Sequence, residues 1–130
     1  MASQLAVFYE WVDGINPYRM LFELACGEAP GHERAAPRFR HAASFAFRKF
    51  DGKPLAAHPT AAQIAGVNRD FPEARLMLYL KRGLALANEM KWLGSYRYAV
   101  VNLGAGSSAD LHQRCHDLRR RLFSESDLSA

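Results

Sequence analysis

The chain has 130 residues, with 17 Lys and Arg against 13 Asp and Glu, a formal net charge of +4 and a pI near 9.3. That length is enough for one domain with its own core, without disulfides or a metal. An apolar share of 49% with 23% charged residues excludes a disordered chain, and no apolar run approaches the ~18 residues of a membrane span. The first residues lack the basic stretch of a secretory leader, so a cytoplasmic protein is expected.

Along residues 4–12, Leu5, Val7, Tyr9 and Trp11 alternate with Ala6, Phe8, Glu10 and Val12. The aromatic and β-branched content fits a strand near 5–12 buried on both faces; a helix behind Ser3 as N-cap is the alternative. Asp13-Gly14 makes a turn. Asn16-Pro17 then opens a helix near 16–26, with the cap first and proline at the first helical position. Met20, Leu21, Leu24 and Ala25 form its apolar stripe and Gly27 stops it. Residues 28–37, with two prolines and a glycine, form a loop.

From Arg38 onward, Phe39, Ala43, Phe47 and Phe50 recur with helical spacing, but Phe45, Phe47 and the following Asp51-Gly52 favour a strand near 44–50. Its return through Lys53–Ala57 would be confined to a sheet edge by Pro54. Thr60 caps a short helix near 60–67. Residues 70–94 read as the helix around which the rest is organised, near 71–93. Asp70 is its N-cap, Pro72 and Glu73 lie in the first turn, Lys91 in the last, and Gly94 closes it. Leu76, Tyr79, Leu80, Leu84, Ala87 and Met90 form one face. Gly83 costs about 1 kcal/mol there, and two helices broken at Gly83 are the alternative.

Tyr96, Tyr98 and Val100 alternate with Arg97, Ala99 and Val101, which gives a strand near 97–103. Ser107 or Ser108 caps a last helix near 108–123, and Asp110 adds charge to its first turn. Leu111, Cys115, Leu118 and Leu122 make a narrow apolar stripe on it. Cys26 and Cys115 both fall at apolar helical positions and are expected to be buried, reduced thiols. The polar tail 124–130 is expected to fray. The sum is a single α+β domain over 1–130, helix-rich, with about four helices on about three strands; an all-α fold is the alternative.

Three groups of residues carry chemistry. Gly104, Gly106, Ser107 and Ser108 lie between a strand and a helix, where exposed amides and the helix dipole hold a phosphate. GAGSSA fits a lax GxGxxG/A, but no βαβ unit surrounds it, so a tight turn is the alternative. His112 and His116 are one helical turn apart and lack a third ligand, so neither a metal nor a cofactor is assigned. The absence of a nucleophile elbow, a CxxC and paired carboxylates leaves no catalytic residue to assign.

The basic groups are more extensive. Arg114, Arg119, Arg120 and Arg121 lie on the last helix. Arg38, Arg40, His41, Arg48, Lys49 and Lys53 form a second group, and Lys81 and Arg82 a third. Groups sharing a face would contact successive phosphates, and Tyr96 and Tyr98 would stack on unpaired bases. A helix-turn-helix is disfavoured, because the helix after Pro72 is too apolar for a major groove. The expectation is a non-enzymatic binding or regulatory protein, associating with nucleic acid or another polyanion. A phosphate-ligand protein or enzyme is one alternative. An adaptor for a protein partner, or a homodimer, is the other.

Overall fold

The computed structural model describes residues 2–31, 33–50, 55–79, 96–124 and 127. The fold is α+β, with four helices and a three-stranded antiparallel sheet among the described residues. In chain order these are α1 (Ala2–Phe8), α2 (Pro17–Ala25), β1 (His41–Arg48), α3 (Ala61–Asp70), β2 (Arg75–Leu78), β3 (Arg97–Ala105) and α4 (Ser108–Leu122). The chain forms two compact units, residues 1–43 with 104–111 and residues 44–103 with 112–130.

In the first unit, the segment expected as a strand near 5–12 is instead helical. α1 runs into a π-helical turn, Tyr9–Asp13. Along this stretch Ala6 and Trp11, five positions apart, are both buried. Strict alternation in the sequence hides that spacing. The Trp11 ring packs edge-on against Phe8 at 6.1 Å and Phe39 at 5.5 Å. Its carbonyl accepts from the Arg38 amide (2.8 Å) and the Phe39 amide (3.0 Å), so the returning loop is fastened to the tryptophan twice. Gly14 ends the π turn at φ +67° and its carbonyl accepts from the Ala35 amide at 2.9 Å. A Cβ at Gly14 would sit 1.9 Å from the Ala35 carbonyl oxygen, so glycine is required for space as well as for φ.

α2 forms as its sequence dictates. The Asn16 side chain accepts from the Tyr18 and Arg19 amides, both at 3.1 Å, with Pro17 at the first position. At its other end the Gly27 amide donates to Leu24 and the Glu28 amide to Glu23, a Schellman close with Gly27 at φ +78°. Its apolar stripe, however, is not a core face: no α2 residue is buried. Cys26, expected to be buried, is exposed, because it caps the outward-facing end of this helix.

The sheet has the order β1-β3-β2. Every residue of β3 from Tyr98 to Ala105 is buried, as its run of apolar residues on both faces requires of a central strand. β2 pairs with it antiparallel, Arg75 opposite Asn102 and Leu78 opposite Ala99. The sequence finds both β3 and β1, but ends β3 two residues early, and starts β1 three residues late and runs it two residues past its end at Arg48. Residues 55–57, expected as a returning strand, are irregular, and residues 53–54 of that segment lie outside the described residues.

The largest correction concerns 70–94. Thr60 and Gln63 form a full capping box, and the helix they open runs three residues beyond the expected end, to Asp70. Asp70 therefore ends a helix instead of starting one. Pro72 and Glu73 form a turn, and Arg75–Leu78 is a strand. Leu-Met-Leu is compatible with either state, and pairing with the otherwise open edge of β3 outweighs a helix propensity worth only tenths of a kcal/mol per residue. The remainder of that expected helix, residues 80–93 with Lys81, Arg82 and Gly83, lies outside the described residues, as does its closing Gly94.

Candidate nucleic-acid interface

Charge is divided unevenly between the two units. Residues 44–103 with 112–130 hold thirteen of the Lys and Arg residues and seven of the Asp and Glu, a formal +6, and the other unit holds four and six, a formal −2. The excess of positive charge is therefore a property of the second unit, and the question becomes which of its cations have carboxylate partners.

α4 starts with the Ser107 Oγ accepting from the Asp110 amide at 3.1 Å. Leu111, Leu118 and Leu122 are buried along the stripe the sequence predicts, with Cys115 half-buried and its thiol pushed up to about 11 by burial. Arg114 pairs with the nearly buried Glu73 at 2.6 Å. Arg119 is half-buried, lies over the Phe47 ring at 5.5 Å and donates to the Asp127 carbonyl at 3.4 Å. Both serve structure. Arg121 pairs with Asp70 and lies over the Phe71 ring at 5.2 Å. Arg69 also pairs with Asp70, at 3.3 Å. Two guanidiniums share one carboxylate, so this cluster keeps a net positive charge, beside the exposed Arg120. The two arginines hold the Asp70 carboxyl below its ordinary range, chiefly through the Arg121 hydrogen bond.

Lys49 is not a surface cation. It is 6% exposed and its Nζ lies 3.1 Å from Oδ1 of Asp127, which is fully buried. The Asp127 carboxylate also accepts from the Ala56 amide at 3.2 Å and the Ser124 hydroxyl at 2.7 Å. Burial alone would raise this carboxyl; the hydrogen bonds from Ser124, Lys49 and Ala56 outweigh it and hold the pKa below the ordinary value. Asp127 itself is thus held in place, while residues 125–126 and 128–130 of the tail expected to fray lie outside the described residues. Tyr98 is also withdrawn from any ligand, at 0% exposure, packed on Phe123 at 4.9 Å and Phe47 at 6.2 Å. A tyrosine inside β3 is taken up by the core, which removes base stacking there. Tyr96, at φ +47°, is half-buried beside Phe50, and Arg48 is exposed at the end of β1. Arg38 and Arg40 are exposed but belong to the first unit, with Arg38 over the Phe39 ring. Sequence reasoning missed Asp127, Glu73 and Asp70 as partners, since nothing local links 127 to 49 or 73 to 114.

At the glycine turn, a Cβ on Gly104 would lie 2.2 Å from the Phe39 ring, so that glycine serves packing. Gly106, Ser107 and Ser108 are exposed. Ser107 is committed to capping, and Asp110 adds a negative charge to the first turn of the helix. His112 and His116 are exposed, and the described residues hold no group of three metal-ligating side chains. A cleft of about 770 Å³ in the first unit is lined by Ile15, Met20 and Arg34 among others, and by Arg19, which pairs with both Glu23 and Glu33. No helix among the described residues is long and apolar enough to cross a membrane. No family model, curated protein or solved structure matches the chain.

Proposed function

We propose that the protein is a non-enzymatic polyanion-binding protein, with nucleic acid as the polyanion, acting through the exposed arginines at the α3–α4 junction. The observation that carries this is the division of charge: a unit with a formal +6 in which Arg69 and Arg121 share the single carboxylate of Asp70. A surface of this kind contacts phosphates and carries no base readout, so binding is sequence-tolerant, on the order of 10⁻⁴–10⁻⁶ M at physiological salt, and steeply salt-dependent. With Tyr98 in the core, a preference for single strands over duplex is not expected from stacking.

The test is binding of a fluorescent duplex and a fluorescent single strand across a salt series. Arg120→Gln with Arg121→Gln is expected to weaken binding and to flatten the slope of log K against log salt by about 2, one contact each. Arg38→Gln with Arg40→Gln, in the acidic unit, is the control and leaves both unchanged. Equal slopes for the wild type and the α4 variant would remove this surface.

A further inference from the structure

The first unit carries a feature that polyanion binding does not use. On α2, Tyr18, Leu21, Phe22 and Ala25 fall within about 100° of one another at 3.6 residues per turn. They are the outward side of the helix: Tyr18 is 50% exposed, Leu21 62% and Phe22 70%, and Ala25 is exposed as well. The polar residues turn the other way, with Glu23 accepting from Arg19 at 2.7 Å and from the Gly31 amide at 2.8 Å. The helix is amphipathic with its apolar side in solvent, the reverse of a helix packed on its own core. These four side chains leave on the order of 400 Å² of apolar surface open, at the upper end of what a monomer shows.

We propose that this face is covered by a second copy of the chain, α2 packing antiparallel on α2 of its partner about a two-fold axis near Leu21 and Phe22. Two observations select a copy over an unrelated partner. An isologous contact lays a patch on itself, so any net charge in it repels its image. Here the arc contains no charged residue, and the Arg19–Glu23–Glu33 group, a formal −1, has its two helical members outside the arc. The area is also self-consistent: doubled, it reaches on the order of 800 Å², below the ~1,200–2,000 Å² of a stable interface, and corresponds to a weak, reversible dimer.

The experiment is sedimentation velocity of the full chain over a concentration series reaching several hundred micromolar, with wild type, Leu21→Glu and Phe22→Glu. Wild type is expected to pass from monomer to dimer with a dissociation constant on the order of 10–100 µM, and each variant to weaken this at least tenfold. Both substitutions sit on solvent-facing positions, so circular dichroism and melting temperature remain those of wild type. A second measurement tests the geometry directly. In a Cys26→Ser background, Leu21→Cys is expected to form an intermolecular disulfide on mild oxidation, and Glu28→Cys, just beyond the helix, is not. A wild-type chain that stays monomeric throughout, or variants that dimerise as wild type does, would overturn the proposal. So would co-sedimentation with neutral lipid vesicles that Phe22→Glu abolishes in a monomeric protein, because the face would then belong to a lipid surface.

Discussion

The buried pair between Lys49 and Asp127 supports the sharpest prediction. Removing the carboxylate with Asp127→Ala leaves the Lys49 ammonium in a site where it is 6% exposed, takes the acceptor from the Ala56 amide, and frees the Ser124 hydroxyl. Breaking a buried, hydrogen-bonded ion pair from one side costs about 3–5 kcal/mol, most of it the penalty of the partner left behind. At this chain length that is a fall of roughly 10–20 °C in melting temperature. Lys49→Met leaves a buried carboxylate with three remaining donor contacts, and about 2–4 kcal/mol is expected. The double variant Lys49→Met with Asp127→Ala should lose less than the two singles together, a coupling of at least about 1.5 kcal/mol. Urea unfolding at pH 7 measures all three. A loss under about 0.5 kcal/mol in Asp127→Ala would mean that the carboxylate is solvated, and the anchoring of residue 127 would have to be given up. The same series separates structure from binding: Lys49→Met should leave the salt slope of nucleic-acid binding unchanged at temperatures where it is folded.

Two further outcomes follow from single groups. Asp127 is held below the ordinary carboxylate pKa, against the opposing effect of burial, by its hydrogen bonds from Ser124, Lys49 and Ala56. The unfolded chain therefore takes up this proton first, so its stabilisation is complete above the usual value near ~3.9 and is lost as pH falls from there through the depressed value; acid titration of stability should show a steeper limb in wild type than in Asp127→Asn. Gly14→Ala, at φ +67° with 1.9 Å to the Ala35 carbonyl oxygen, should destabilise by at least about 2 kcal/mol. Gly106→Ala, with open space around its Cβ, should stay within about 0.5 kcal/mol in the same urea melts.

The parts of the fold legible in the sequence are those whose signals are local. The Asn16-Pro17 start and Gly27 stop of α2, the Thr60 capping box of α3, the alternation of β3 and the leucine stripe of α4 each rest on contacts within a few residues. The failures share a different cause. The period of α1 is broken by a π turn that only the packing of Trp11 on Phe39 explains. Arg75–Leu78 becomes a strand because β3 offers it an edge. The candidate site divides the same way: positive charge on α4 is readable, but its availability depends on Glu73, Asp70 and Asp127, from 8 to 51 positions away. Amphipathicity was legible on α2, and its direction was not, because a sequence pattern gives a face and never says which side of it meets the core.

The two proposals stand on different units and respond oppositely to the same variable. Phosphate contacts by Arg69, Arg120 and Arg121 weaken as salt rises, since each contact releases condensed counterions whose entropy shrinks with bulk concentration. Apolar packing of α2 on its copy releases no ions, and salting-out anions such as sulfate strengthen it. One titration therefore resolves them. If added sulfate dissociates nucleic acid while the sedimentation coefficient moves toward the dimer, both surfaces act independently. If the dimer dissociates with the nucleic acid, the association is mediated by the polyanion and the α2 face is not its cause. Phe22→Glu decides that second case separately, since it removes an apolar contact and leaves every Lys and Arg in place. A dimer that also binds polyanion carries two basic units on one particle, so linking them raises avidity without any new contact. The variant's loss of affinity on a long duplex, but not on one too short for both units, would measure that gain.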